Sequence, residues 1–123
     1  MSYPPVFAIA SASTAVQARL GPVPGCRIYM FGMAPQNVAK PYAVWQVVGG
    51  SPENYLDRVP NTDRFTIQLD VYGASANDSR LSAEALRDAI EPHAYVSTWR
   101  GEDIEPETKL YRSSFDVSWF VKR

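Results

Sequence analysis

The densest group of chemically capable side chains lies in Gly101-Glu102-Asp103-Ile104-Glu105-Pro106-Glu107-Thr108, where Glu102, Asp103, Glu105 and Glu107 share one short segment. Several oxygen ligands in one loop are what a hard cation such as calcium requires. The spacing departs from that of an EF-hand loop, and a solvated acidic hairpin tip is the ordinary reading of such a run. Asp57, Asp63 and Asp70 offer further carboxylates for acid–base work, but their spacing directs no two of them to one cleft. Ser11, Ser13 and Ser51 have no activating base beside them, and the chain contains no Gly-x-Ser-x-Gly elbow. His93, the one histidine, follows Pro92 at a helix stop, where its partial positive charge suits the helix dipole. Cys26 is a single thiol in a Pro/Gly loop and reads as an unactivated, half-buried side chain. One cysteine and one histidine leave neither an internal disulfide nor a His/Cys zinc cluster. Gly49-Gly50-Ser51 lacks the lysine and the following helix of a phosphate loop. The expectation is therefore no catalytic residue, no cofactor and no metal.

The elements that would position these residues follow from periodicity and turn chemistry. Pro4-Pro5 opens a short helix, because a proline in the first turn sacrifices only an N–H that has no helical partner. The run Ser11-Ala12-Ser13-Thr14 breaks that helix and offers a new N-cap, and a second short helix then ends at Gly21. Gly21-Pro22-Val23-Pro24-Gly25 is a stiff loop leading to a strand over 27–31. A second strand spans 42–48, rich in β-branched and aromatic residues. In the third, 64–72, Phe65, Ile67, Leu69 and Val71 alternate with Thr66, Gln68 and Asp70, the period of a sheet with one buried face. Between these strands, 49–63 reads as a loop well beyond ordinary hairpin length. From 74 to 91 the period changes, with Leu81, Ala85, Leu86, Ala89 and Ile90 forming the apolar stripe of an amphipathic helix that Pro92 stops. Strands over 95–100 and 110–121 flank the acidic segment. The order α-β-β-β-α-β-β predicts one α+β domain over 1–123, a two-layer arrangement with helices packed on one face of a mostly antiparallel sheet.

Composition sets the outer bounds. The 123 residues are 46% hydrophobic, 12% aromatic and 20% charged, which is the range of globular chains rather than disordered ones. Twelve Lys and Arg against thirteen Asp and Glu give a formal charge of −1, so no global basic field draws the protein to nucleic acid or anionic membrane. With no apolar run long enough to span a bilayer and no positive n-region at the start, the expectation is a soluble, intracellular protein without a membrane partner. Strand aromatics such as Tyr72 and Phe120 fall opposite the helix-facing set. A second sheet face carrying aromatics either wants a partner or holds them singly among polar groups.

Taken in order, Pro4-Pro5-Val6-Phe7, Arg27-Ile28-Tyr29, Lys40-Pro41-Tyr42-Ala43-Val44-Trp45-Gln46, the strand from Phe65 to Tyr72, Ala83-Glu84-Ala85-Leu86-Arg87-Asp88-Ala89-Ile90 and Tyr111-Arg112-Ser113-Ser114-Phe115-Asp116-Val117 form a set covering nearly the whole chain. This set resembles the tail completion, or tail terminator, family of long-tailed bacteriophages and prophages. The resemblance implies a structural virion subunit, most often a homo-oligomeric hexameric ring, at the head-proximal end of the tail. Such a ring ends tube polymerisation and offers the surface to which the head connector docks. Its implied partners are the tail tube protein and the head–tail connector protein, with DNA only passing through the lumen. Its implied place is the virion, after assembly in the host bacterial cytoplasm. No catalytic residues accompany the family.

Two contact regions follow from the residues. Tyr55, Leu56 and Val59, apolar among polar neighbours in the long loop, are expected to meet an adjacent subunit or the tube, since such side chains order on binding. Glu102, Asp103, Glu105 and Glu107 are expected to face a lumen and repel DNA phosphates. The alternative is a small α+β ligand-binding domain or enzyme using a cleft near Asp70, Tyr72 and His93, or a dimeric interaction module.

Overall fold

The protein is described by a computed structural model covering residues 2–123. Its first two helices, α1 (Val6–Ser11) and α2 (Thr14–Leu20), are separated at the expected break. Ser13 caps α2, its hydroxyl oxygen accepting the Val16 N–H at 3.3 Å. Gly21 ends it at φ 99°, a left-handed conformation that glycine adopts without steric cost. The strands are β1 (Ile28–Met30), β2 (Tyr42–Pro52), β3 (Thr62–Gly73), β4 (Tyr95–Ile104) and β5 (Tyr111–Lys122), with α3 (Ala76–Ile90) between β3 and β4. They form one sheet in the order β1-β2-β3-β5-β4. β1 runs parallel to β2, and every other pair is antiparallel. The architecture is the expected α+β one, with helices on one side of the sheet.

The core is the apolar half of each alternation. Phe65, Ile67, Leu69 and Val71 of β3 and Phe115, Val117 and Trp119 of β5 are buried beneath Leu86 and Ile90 of α3, with Val6, Ala10, Val16 and Leu20 filling in from the short helices. The α3 stripe is rotated from the expected one. Leu81 is exposed, and Ser79 and Ser82 take core-facing positions together with Ala83, Leu86 and Ile90. The serines are tolerated there because they are bonded: Ser79 donates to the Val71 carbonyl at 2.9 Å and its oxygen lies 2.7 Å from the Ser113 hydroxyl, while Arg19 donates to Ser82 at 3.4 Å. Helix and sheet approach so closely at this seam that a Cβ on Gly73 would fall 2.7 Å from the Ser79 nitrogen.

Two expected loops are partly strand. β2 continues to Pro52 and β3 begins at Thr62, so the segment expected as a loop over 49–63 is a projecting hairpin whose connection is only 53–61. A register shift between Val47 and Gly49 carries the pairing through the glycines, and a Cβ on Gly50 would lie 2.2 Å from the Arg64 carbonyl oxygen. Periodicity fails there because a bulge and two glycines interrupt the alternation. Likewise β4 runs to Ile104, placing Glu102 and Asp103 on the strand rather than at a tip. Two register shifts, at Val96/Thr98 and Trp99/Gly101, hide its period.

Truncating a fully buried side chain leaves both lost transfer energy and a cavity, whereas surface changes are nearly neutral. Leu86→Ala is therefore expected to lower stability by about 2–5 kcal/mol in a denaturant titration, and Leu81→Ala by less than about 0.5 kcal/mol.

Candidate functional site

The expected contact residues fall at opposite ends of the sheet. Tyr55, Leu56 and Val59 sit on the 53–61 connection, with Leu56 fully exposed and Val59 mostly so. The connection is braced internally. The Tyr55 hydroxyl donates to Asn61 at 2.8 Å, Arg58 stacks 4.4 Å from the Tyr55 ring centre, and Arg123 closes the base through Asp63 at 2.9 Å. Leu56 is thus held outward on a structured tip rather than on a slack loop. β3 has 12 residues, which places this tip roughly 40 Å from the β4–β5 turn that carries Glu105 and Glu107.

The four acidic residues do not share one surface. Glu102 pairs with Ser113 on the helix side of the sheet and receives Arg80 of α3 at 2.6 and 2.8 Å. Asp103 pairs across from Arg112 on the opposite side and accepts its Nε at 2.9 Å. Only Glu105 and Glu107 lie in the turn, where the Thr108 hydroxyl donates to Glu105 at 2.6 Å. Among the described residues no group of three or more His, Cys, Asp or Glu is placed to hold a metal ion. No helix among them is long and apolar enough to cross a membrane.

The sheet face away from the helices is polar and self-satisfied through its middle, and near the hairpin end it carries an exposed aromatic pair, Tyr95 and Phe120, with ring centres 6.4 Å apart. Asp70 accepts from Ser114 at 2.5 Å and from Gln68 at 3.1 Å, and Asp116, only 7% exposed, accepts Arg100 at 2.7 Å. Tyr42 stacks on Tyr72 at 4.9 Å between ring centres, with Tyr29 edge-on to Tyr42. Burial pushes the Tyr42 and Tyr72 phenols upward, keeping them neutral donors. Asp70 and Tyr72 share this face, but His93 follows α3 at the other end of the sheet, so the three groups of the enzyme reading are not brought together. Asp57 is on the tip, and Asp63 and Asp70 point to opposite faces of β3. Cys26 is buried and free, and burial pushes its thiol up, away from a reactive thiolate.

The expectations missed the open lateral edges of the sheet. Outside β2, Met30, Phe31 and Met33 stand exposed beside β1. At the other margin, Trp99 leans on Phe115 with ring centres 5.1 Å apart yet is 54% exposed. Beside Trp99 a cavity of about 320 Å³ opens, lined by Arg80, Ala83, Glu84, Gly101 and Glu102. Exposed apolar groups of this kind are what contacts between molecules use.

Comparison with known proteins agrees with that character. Residues 4–122 match the family described as tail completion protein gp17. The chain belongs to this family and is a structural protein of phage tails. Among solved structures, a chain from the virion of a native gene transfer agent particle superposes with a TM-score of 0.73 at 13% identity, covering 96% of this chain and 92% of that one. No curated protein matches in sequence.

Arg80, Arg112 and Arg123 donate hydrogen bonds that hold the Glu102, Asp103 and Asp63 carboxyls below their ordinary range. A depressed folded-state pKa stabilises the native state above the unfolded value, and that contribution disappears as pH falls through the folded value. Stability is expected to decline on acidification below about pH 4, read from thermal midpoints. The double variant Arg80→Gln with Arg112→Gln should flatten that decline, and an unchanged acid profile would remove these pairs from the account.

Proposed function

We propose that this protein caps the head-proximal end of a phage tail tube as a hexameric ring, ends tube polymerisation there and presents the surface that the head connector joins. The observation that carries this reading is the family match over residues 4–122, and the fold likeness to a gene transfer agent virion chain supports it. A closed ring uses heterologous contacts, each copy giving one surface and taking another. That suits a subunit whose exposed apolar groups lie in separate places rather than in one self-complementary patch. Assembly takes place in the host bacterial cytoplasm, and the product is part of the virion.

Within this reading the braced tip with Tyr55, Leu56 and Val59 contacts the tube or an adjacent copy. The acidic turn at the far end, with Glu105 and Glu107, borders the lumen, while Glu102 and Asp103 lie on opposite faces of β4 and are neutralised by Arg80 and Arg112. Fixed negative charge there repels DNA phosphates, so the genome slides without adhering.

Light scattering across a concentration series, with and without isolated tail tubes, tests the ring. The expected result is a particle of about six subunits, or binding at tube ends. A monomer or two-fold dimer that ignores tube ends would contradict it. Tyr55→Ser combined with Leu56→Ser should weaken tube-end binding while leaving the folded monomer intact by circular dichroism. Glu105→Lys combined with Glu107→Lys should slow DNA ejection from assembled particles, and unaltered ejection would take the lumen away from this turn.

A further inference from the structure

The two lateral margins of the sheet both expose apolar groups and differ in charge. Following the strand pairing across the sheet, Met30 pairs with Trp45, Trp45 with Leu69, Leu69 with Phe115 and Phe115 with Trp99. These five side chains form one row on the helix-side face, buried in the middle and open at both ends. Met30 is 49% exposed at one end, and Trp99 stands beside its cavity at the other. β1 runs antiparallel to β4, so a second copy set beside the first continues the sheet in the favoured antiparallel sense.

Charge separates the same two margins. All 13 carboxylates lie at or after Glu53, so β1 and its flanking loops contain Arg27 and Lys40 and no acid. Arg27 spends its donors on the Pro41 and Arg19 carbonyls, which leaves its charge unneutralised, and Lys40 is exposed. The β4 margin carries Glu84, Glu102, Asp103, Glu105 and Glu107. Arg80 and Arg112 neutralise Glu102 and Asp103, while Glu84, Glu105 and Glu107 stay outside the ion pairs formed among the described residues. A two-fold contact would set acid against acid or base against base. A head-to-tail contact sets each against its opposite.

We infer that neighbouring copies of this chain join through these margins, β1 of one against β4 of the next, with Met30 entering the cavity beside Trp99 and Lys40 facing the acidic β4 margin. A thioether against an indole is a favourable contact, and both groups lose exposed apolar area. The interface rests on the ring reading and supplies its joint.

Short-reach cysteine cross-linking tests the joint on the full chain. Met30→Cys and Glu84→Cys are prepared separately, mixed, and treated with a short bismaleimide, first in concentrated solution and then on tail tubes. Both positions are exposed, and buried Cys26 makes the unmodified protein the background control. The expected product is a covalent dimer in the mixture only, with none from either variant alone. In parallel, Met30→Glu should weaken self-association by about tenfold, as an unfavourable change of one hot-spot residue would, while Met30→Leu keeps it. Self-cross-linking of Glu84→Cys alone, or a six-copy particle that gives no mixed product, would overturn the joint. The unmodified protein's mass separates that failure from failure of the ring itself, since a monomer in every condition overturns both.

Discussion

The helix layer seals the middle of the sheet and leaves its two margins open. Five strands spaced about 4.8 Å apart span roughly 20 Å between the outer backbones, while a helix with its side chains is about 10–12 Å wide. α3 is the one long helix, at 15 residues, and it lies over β3 and β5. α1 and α2, of 6 and 7 residues, lie on the side toward β1, with α1 against β1 and both against α3. The centre of each cross-strand row is therefore sealed, and its ends are left open. From that mismatch follow the exposed Met30 and Trp99, the cavity beside β4 and the two margins at which we infer that neighbours join.

The opposite face of the sheet meets the same shortage of cover in another way. It carries Gln68, Asp70, Ser114, Asp116 and Arg100, which satisfy one another, and among the described residues no buried side-chain polar atom lacks a partner. A bonded polar carpet tolerates water and needs no second layer. The stacked tyrosines Tyr42 and Tyr72 keep their apolar faces on each other. Demand for apolar burial is thus concentrated at the lateral margins, at the hairpin tip and at the exposed Tyr95–Phe120 pair.

Much of the fold was legible because its central elements obey simple periods. β3 alternates without interruption, α3 has a clear cap and a proline stop, and Ser13 announces the break between α1 and α2. The reading failed where the period was broken. Glycines and a bulge disguised the ends of β2 and β3 as a loop, and two register shifts disguised β4. Leu81 was misplaced because Ser79 and Ser82, polar by type, earn core positions through bonds that only the fold creates. The scatter of Glu102 and Asp103 onto opposite faces has the same origin, since alternation matters only once the segment is known to be a strand. Of the contact surfaces, the tip was visible as apolar residues among polar ones. The margins were not, because Met30 and Trp99 lie 69 positions apart and become related only through four strand pairings. One signal was present in the chain throughout: the absence of any carboxylate before Glu53.

In the proposed function, a tail structural protein with one sealed row and two open margins acquires its working form at the end of a tube. Electron cryomicroscopy of tails carrying this protein tests that most directly. The account predicts a closed ring at one end of the tube only, its copies abutting sheet margin to sheet margin with the polar face free of intersubunit contact. Copies distributed along the tube, or a ring joined through the polar face with β1 and β4 left in solvent, would contradict it.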